Sequence, residues 1–112
     1  MLKKNSFGLT QIQKSLLLKI INSSIKKNHT FKVWIFGSRA RGDYKKYSDI
    51  DLLLEVNPSF QKKYQQTIRN LLEDSVLPFK VDLLLPSEVY KPYRKVIEKE
   101  KKLLKERKCK CM

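Results

Sequence analysis

Three aspartates and a glycine-led loop carry the chemistry that can be read in this chain. Ser48-Asp49-Ile50-Asp51 opens an apolar run, Leu52-Leu53-Leu54. Read as a strand, the run sends residues two apart out of one face, about 6.6 Å from each other. Asp49 and Asp51 can then both reach ions held between them, while Ile50, Leu52 and Leu54 turn to the core. Asp82 stands among Val81, Leu83, Leu84 and Leu85. A carboxylate there is expensive to desolvate unless it is paired or bound to a cation. If its strand lies beside the first, the three acids converge. An all-oxygen donor set without Cys or His suits magnesium rather than zinc.

The loop is Gly37-Ser38-Arg39-Ala40-Arg41-Gly42, directly after a β-branched, aromatic stretch. Glycine lets backbone approach a phosphate, and free N–H groups at a helix start attract anions. Ser38 adds a hydroxyl donor, and Arg39 and Arg41 can clamp phosphate oxygens. Each feature has a plainer explanation. Gly-Ser turns near arginines are common, an acidic pair can be turn chemistry, and Asp82 can simply pair with a lysine. Together, a phosphate loop, an acidic pair twelve residues past Gly37 and a third acid on a later strand compose a two-metal site.

The elements that must position these groups follow from periodicity. Thr10 to Gln13 reads as a capping box, and Ile12, Leu16, Ile20 with Leu17, Ile21, Ile25 continue at helical spacing, giving a helix over about 10–27. Residues 32–36 and 49–56 read as strands. Asn57-Pro58 is placed as the cap and first position of a second long helix, striped by Phe60, Tyr64, Ile68, Leu71 and Leu72. Residues 80–85 form a third strand closed by Pro86. Ser87 is placed as the cap of a last helix, interrupted at Pro92, with Tyr93, Val96, Ile97, Leu103 and Leu104 on its buried side. The order α-β-turn-β-α-β-α predicts an α/β (α+β) fold, a small mixed sheet with helices packed against it.

At 112 residues the chain is expected to be one domain, with a core over about 8–104 and a basic tail over 105–112. No apolar run approaches the ~18 residues that cross a bilayer and no leader is evident, so a cytoplasmic location away from membranes is expected. Net charge is +14, yet every Asp lies between residues 43 and 90, and residues 1–42 hold no acid. Carboxylates gathered in a cationic chain suggest a metal site facing a polyanion, although a Lys-rich proteome explains the charge equally well. His29 reads as a solvated loop histidine. Cys109 and Cys111 make neither a disulfide framework nor a zinc cluster. Cys109-Lys-Cys-Met112 formally fits a prenylation box, but a frayed tail is the simpler account.

At Gly37-Ser38, Asp49-Ile-Asp51 and Asp82 the chain resembles the DNA polymerase β-like nucleotidyltransferases. GSRARG followed by SDIDL is similar to their minimal (MNT) group, and LPFKVDLLL to small bacterial MNT proteins encoded beside helical HEPN partners. The resemblance implies a polymerase β-like palm fold and a transferase that moves AMP from ATP to a hydroxyl with two magnesium ions. Asp49 and Asp51 would bind both ions, Asp82 would complete one site and activate the attacking hydroxyl, and Gly37 and Ser38 would hold the β- and γ-phosphates. It further implies an antitoxin that adenylylates a tyrosine of a HEPN ribonuclease. Two other readings stand beside it. One is an MNT-fold module that neutralises its partner by contact. The other is nucleotidyl transfer to RNA, which the positive charge keeps open, or to a small molecule.

Overall fold

The computed structural model describes residues 7–108. Helix α1 (Gln11–Ser24) opens at Thr10, whose hydroxyl accepts from the Gln13 N–H while the Gln13 side chain accepts from the Thr10 N–H, both at 3.0 Å. That is the expected capping box. Strand β1 (Phe31–Phe36) runs into a four-residue helix α2 (Ser38–Arg41), and strand β2 (Ile50–Val56) returns antiparallel to β1. Helix α3 (Gln61–Glu73) crosses to β3 (Val81–Leu84), which lies parallel to β2. Two 3₁₀ turns, Pro86–Glu88 and Lys91–Tyr93, lead into α4 (Arg94–Glu100) and then β4 (Lys102–Arg107), antiparallel to β1. The sheet order is β3-β2-β1-β4, the mixed sheet with flanking helices that the periodicity predicts.

Strand alternation gives the sheet two unlike faces. Val33, Ile35, Ile50, Leu52, Leu54 and Leu83 are fully buried and pack with Leu17 and Ile21 of α1 and Ile68 of α3. The opposite face carries Phe36, Leu53 and Leu84 in a smaller apolar cluster, joined by Trp34, Val89 and Ile97 of α4. Among the described residues no helix is long and apolar enough to cross a membrane.

Several elements differ from expectation. Asn57 does not cap α3. Its side chain accepts from the Ser59 N–H (2.8 Å), its carbonyl accepts from the Phe60 N–H, and the helix starts at Gln61. Asn followed by Pro favours this local turn as much as a helix opening. Leu103 and Leu104 lie on β4 rather than on the last helix, because Lys101 adopts extended geometry (ψ 144°) after Glu100. Two adjacent leucines among lysines fix neither period.

Residues 105–107, expected in a frayed tail, belong to β4. The Arg107 guanidinium donates to the carbonyls of Asn22 (2.7 Å) and Ile25 (3.2 Å), tying that strand to the end of α1. His29 is half-buried rather than solvated: its Nδ1 lies 2.6 Å from the Tyr64 hydroxyl and its ring stacks near Phe60. Cys109 and Cys111, with the formal prenylation box, lie outside the described residues.

Candidate active site

Strand register brings two of the aspartates together. Asp51 on β2 lies opposite Asp82 on β3 and, on its other side, opposite Phe36, the last residue before Gly37. Its side chain leaves the sheet on the face of Leu53 and Leu84, away from α1 and α3. Burial pushes the half-buried Asp51 carboxyl above its ordinary value, and the negative charges of Asp82 and then Asp49 push it further. Asp49 sits one residue before the strand and is exposed. Asp82 also faces Lys80, Nζ to Oδ1 3.6 Å. The lysine pairing and the acidic row are thus both present.

Among the described residues no three His, Cys, Asp or Glu side chains are gathered into a ready cluster for an ion. Their chemistry nonetheless fits one: the charges of Asp82 and Asp49 both oppose ionisation of Asp51, a repulsion that a hard divalent cation would relieve.

The glycine turn closes the other side of the row. Gly37 takes φ +78°, and a Cβ built on it would lie 2.5 Å from the Asp51 Oδ2. A side chain there is therefore excluded twice, by backbone conformation and by the carboxylate. Ser38, partly exposed, follows at the start of α2. The turn and Asp51 form one continuous surface.

Arg39 differs from its expected role. It is 2% exposed, stacks between the rings of Tyr44 (5.3 Å) and Phe79 (4.8 Å), and spends its donors on protein carbonyls. Nη1 donates to Phe7 (2.9 Å), and Nε and Nη2 both donate to Ser48 (3.1 and 2.9 Å). A guanidinium enclosed this way cannot clamp a phosphate. It anchors the 43–48 loop and so sets the position of Asp49. Burial lowers its pKa, with Tyr44 and Asp49 opposing.

Arg41 stays at the surface, 44% exposed, paired with Asp43 (3.2 Å) and Glu100 (3.2 Å). Its charge acts on Asp51 in the direction opposite to Asp82. A phosphate reaching Arg41 has to compete with those two acids.

Sequence reasoning missed the wall opposite the row. Leu53, Ser87, Val89, Arg94, Ile97 and Glu98 line a cavity of about 280 Å³ on the acidic face. Lys101 pins α4 over that face, its ammonium 4.2 Å from the Trp34 ring centre, 3.0 Å from Glu98 and 3.7 Å from Glu55. Periodicity marks Ile97 as buried and Ser87 as a cap, but no spacing rule shows that a short helix crossing the sheet sets them over Leu53.

A mixed sheet that hides one face under two helices and lines the other with strand-borne acids beside a glycine turn is the architecture of a nucleotidyl-transfer enzyme. The chain belongs to the nucleotidyltransferase domain family, whose model matches residues 17–105, and it is of the minimal (MNT) type. Over 83 residues it is 32% identical to the "Probable protein adenylyltransferase MntA" of Haemophilus influenzae, covering 74% of this chain and 71% of that one. Two solved structures share the fold. One is a toxin-antitoxin with AMP-PNP (TM-score 0.55, 19% identity, 82% of this chain and 72% of the other). The second is the tri-AMPylated Shewanella oneidensis HEPN toxin in complex with MNT antitoxin (TM-score 0.51, 17% identity, 87% and 72%).

Proposed function

We propose that this nucleotidyltransferase moves AMP from ATP to a tyrosine hydroxyl of a helical HEPN partner, acting as that partner's antitoxin. The observation that carries the reading is the continuity of the Gly37 turn with Asp51 and, across one strand, with Asp82. Gly37 and Ser38 present backbone and hydroxyl to the β- and γ-phosphates. Asp49, Asp51 and Asp82 hold two magnesium ions, which when bound neutralise the triphosphate and acidify the acceptor hydroxyl. Asp82 takes the side from which the hydroxyl attacks, and its carboxylate lies ready to receive the proton. The acceptor O–P bond forms at the α-phosphorus as the bond to pyrophosphate breaks. Arg41 is the remaining arginine placed to meet a phosphate.

One observation favours a second reading. Asp82 is already paired with Lys80, 3.6 Å away. An inactive module neutralising its partner by contact needs no more than this. The two readings separate on mass spectrometry of the partner after incubation with magnesium and ATP. The enzyme adds one AMP mass per modified hydroxyl, and Asp82→Asn prevents it by at least a hundredfold in rate. An unmodified partner neutralised equally by wild type and mutant would leave contact as the mechanism.

A further inference from the structure

Arg41 is engaged on both of the edges with which a guanidinium grips a phosphate, and the acid on one of them comes from α4. We propose that Glu100 competes with the triphosphate for Arg41 and so sets the affinity of the site for its nucleotide. The inference rests on the transfer reading above, in which Arg41 meets a phosphate, and gives Glu100 a part in it.

A guanidinium has two edges that present a parallel pair of N–H donors, Nε with Nη2 and Nη1 with Nη2. Bidentate binding of a phosphate takes one such edge whole. In Arg41 the Nε donates to the Asp43 Oδ2 at 3.2 Å. Nη1 donates to both carboxylate oxygens of Glu100, at 3.2 and 3.3 Å. Each edge thus has one donor already engaged. A phosphate can take a fork only after one acid withdraws.

The two acids are not equivalent. Asp43 is two residues along the chain with its side chain 63% exposed, so it can turn into water. Glu100 comes from 59 positions away, is 21% exposed, and is the last residue of α4. The residue after it is tethered, with the Lys101 ammonium 4.2 Å from the Trp34 ring centre and 3.7 Å from Glu55. The backbone of α4 therefore keeps the Glu100 carboxylate beside the phosphate turn, and the like charge of a triphosphate has to meet it there.

Arg41 is the last residue of α2, and its charge already acts on Asp51. A guanidinium released from Glu100 is thus within electrostatic range of the acidic row. Its own exposure bounds the effect. An ion pair at a water-facing position is weak and screened by salt, so Glu100 changes the affinity by a small factor and does not shut the site.

The test is calorimetry of the full chain with magnesium-ATP at fixed salt. Glu100→Gln should tighten binding about two- to fivefold. Glu100→Ala should do at least as much, which protects the test if one variant folds poorly. Arg41→Gln should weaken binding, and in that background Glu100→Gln should bring no gain, because there is no guanidinium left to contest. Glu98→Gln removes an acid of the same helix that pairs with Lys101 instead, and should leave the affinity nearly unchanged. Unchanged or weaker binding in both Glu100 variants overturns the competition alone, since the pair is then structural or supports Arg41. The same gain in the Arg41→Gln background or in Glu98→Gln overturns it too, because the effect is then one of overall charge. Arg41→Gln that binds like wild type removes Arg41, and with it Glu100, from the site. Wild-type protein that binds no magnesium-ATP overturns the transfer reading and the competition together.

Discussion

Arg39 donates twice to the carbonyl of Ser48, the residue immediately before Asp49. The buried cation and the exposed acid belong to the same machinery, but only the acid faces the ligand side. This relationship divides the GSRARG segment into a turn, proposed above to meet phosphate, and an arginine that holds the acidic strand entry in place.

The division yields a prediction that distinguishes an anchor from a clamp. Arg39→Met leaves the carbonyls of Phe7 and Ser48 without donors inside the protein, at about 1–3 kcal/mol each. Arg39→Lys, with its single point charge, recovers only part. The melting temperature of the methionine variant should fall by more than about 10 °C, since ~1 kcal/mol shifts a domain of this size by ~4–8 °C. A phosphate clamp would behave otherwise: an unchanged melting temperature with lost ATP affinity would count against the anchor.

Gly37 makes a different case, where a moderate loss of stability should come with loss of nucleotide binding. Gly37→Ala puts an L side chain at φ +78° and ψ −156°, a region essentially reserved for glycine, at a cost of about 1–3 kcal/mol. The new Cβ also meets the Asp51 carboxylate at 2.5 Å, so Asp51 has to move. Circular dichroism should show a folded chain, and calorimetry should show magnesium-ATP affinity reduced at least tenfold. Wild-type affinity in a folded alanine variant would remove the turn from the site.

The acidic row was legible because strand alternation is strict. Residues two apart share one face, so spacing alone puts Asp51 on the face opposite Ile50 and Leu52, and an acid set among leucines announces Asp82. The structure moves Asp49 just outside the strand, where a turn rather than a ladder fixes it. The role of Arg39 was not legible, because arginine is chemically able both to bind phosphate and to satisfy carbonyls, and only burial decides. Likewise, Leu103-Leu104 carries no period, so the choice between helix and β4 fell to pairing with β1, a contact nearly seventy positions distant in the chain. The cavity under α4 escaped for the same reason. Most of its wall lies within residues 86–98, but only folding lays that stretch over Leu53 of β2.

Two carboxylates should give the pH dependence of stability opposite slopes. The Glu88 carboxylate accepts from the Leu85 N–H (3.0 Å) and from Gln65 (2.8 Å), the first of these being the main cause of its lowered pKa. The unfolded chain therefore binds this proton more readily than the folded one, and Glu88 stabilises the fold above its ordinary value of 4.5, losing that contribution as pH falls through the lower folded value. Asp51 runs the other way. Its folded pKa is raised by burial and by Asp82 and Asp49, so the native chain holds the proton more tightly. Stability without metal falls as pH rises from its ordinary 3.8 through the folded value. At neutral pH Glu88→Gln should cost about 1 kcal/mol, and its stability should decline less on acidification below 4.5. Asp51→Asn should melt at or above the wild-type temperature without metal, and should bind no magnesium-ATP. Urea titrations from pH 3 to 8 in chelator, paired with calorimetry, read both effects. An Asp51→Asn variant clearly less stable than wild type at pH 7 would mean that its carboxylate is a structural partner rather than a strained ligand.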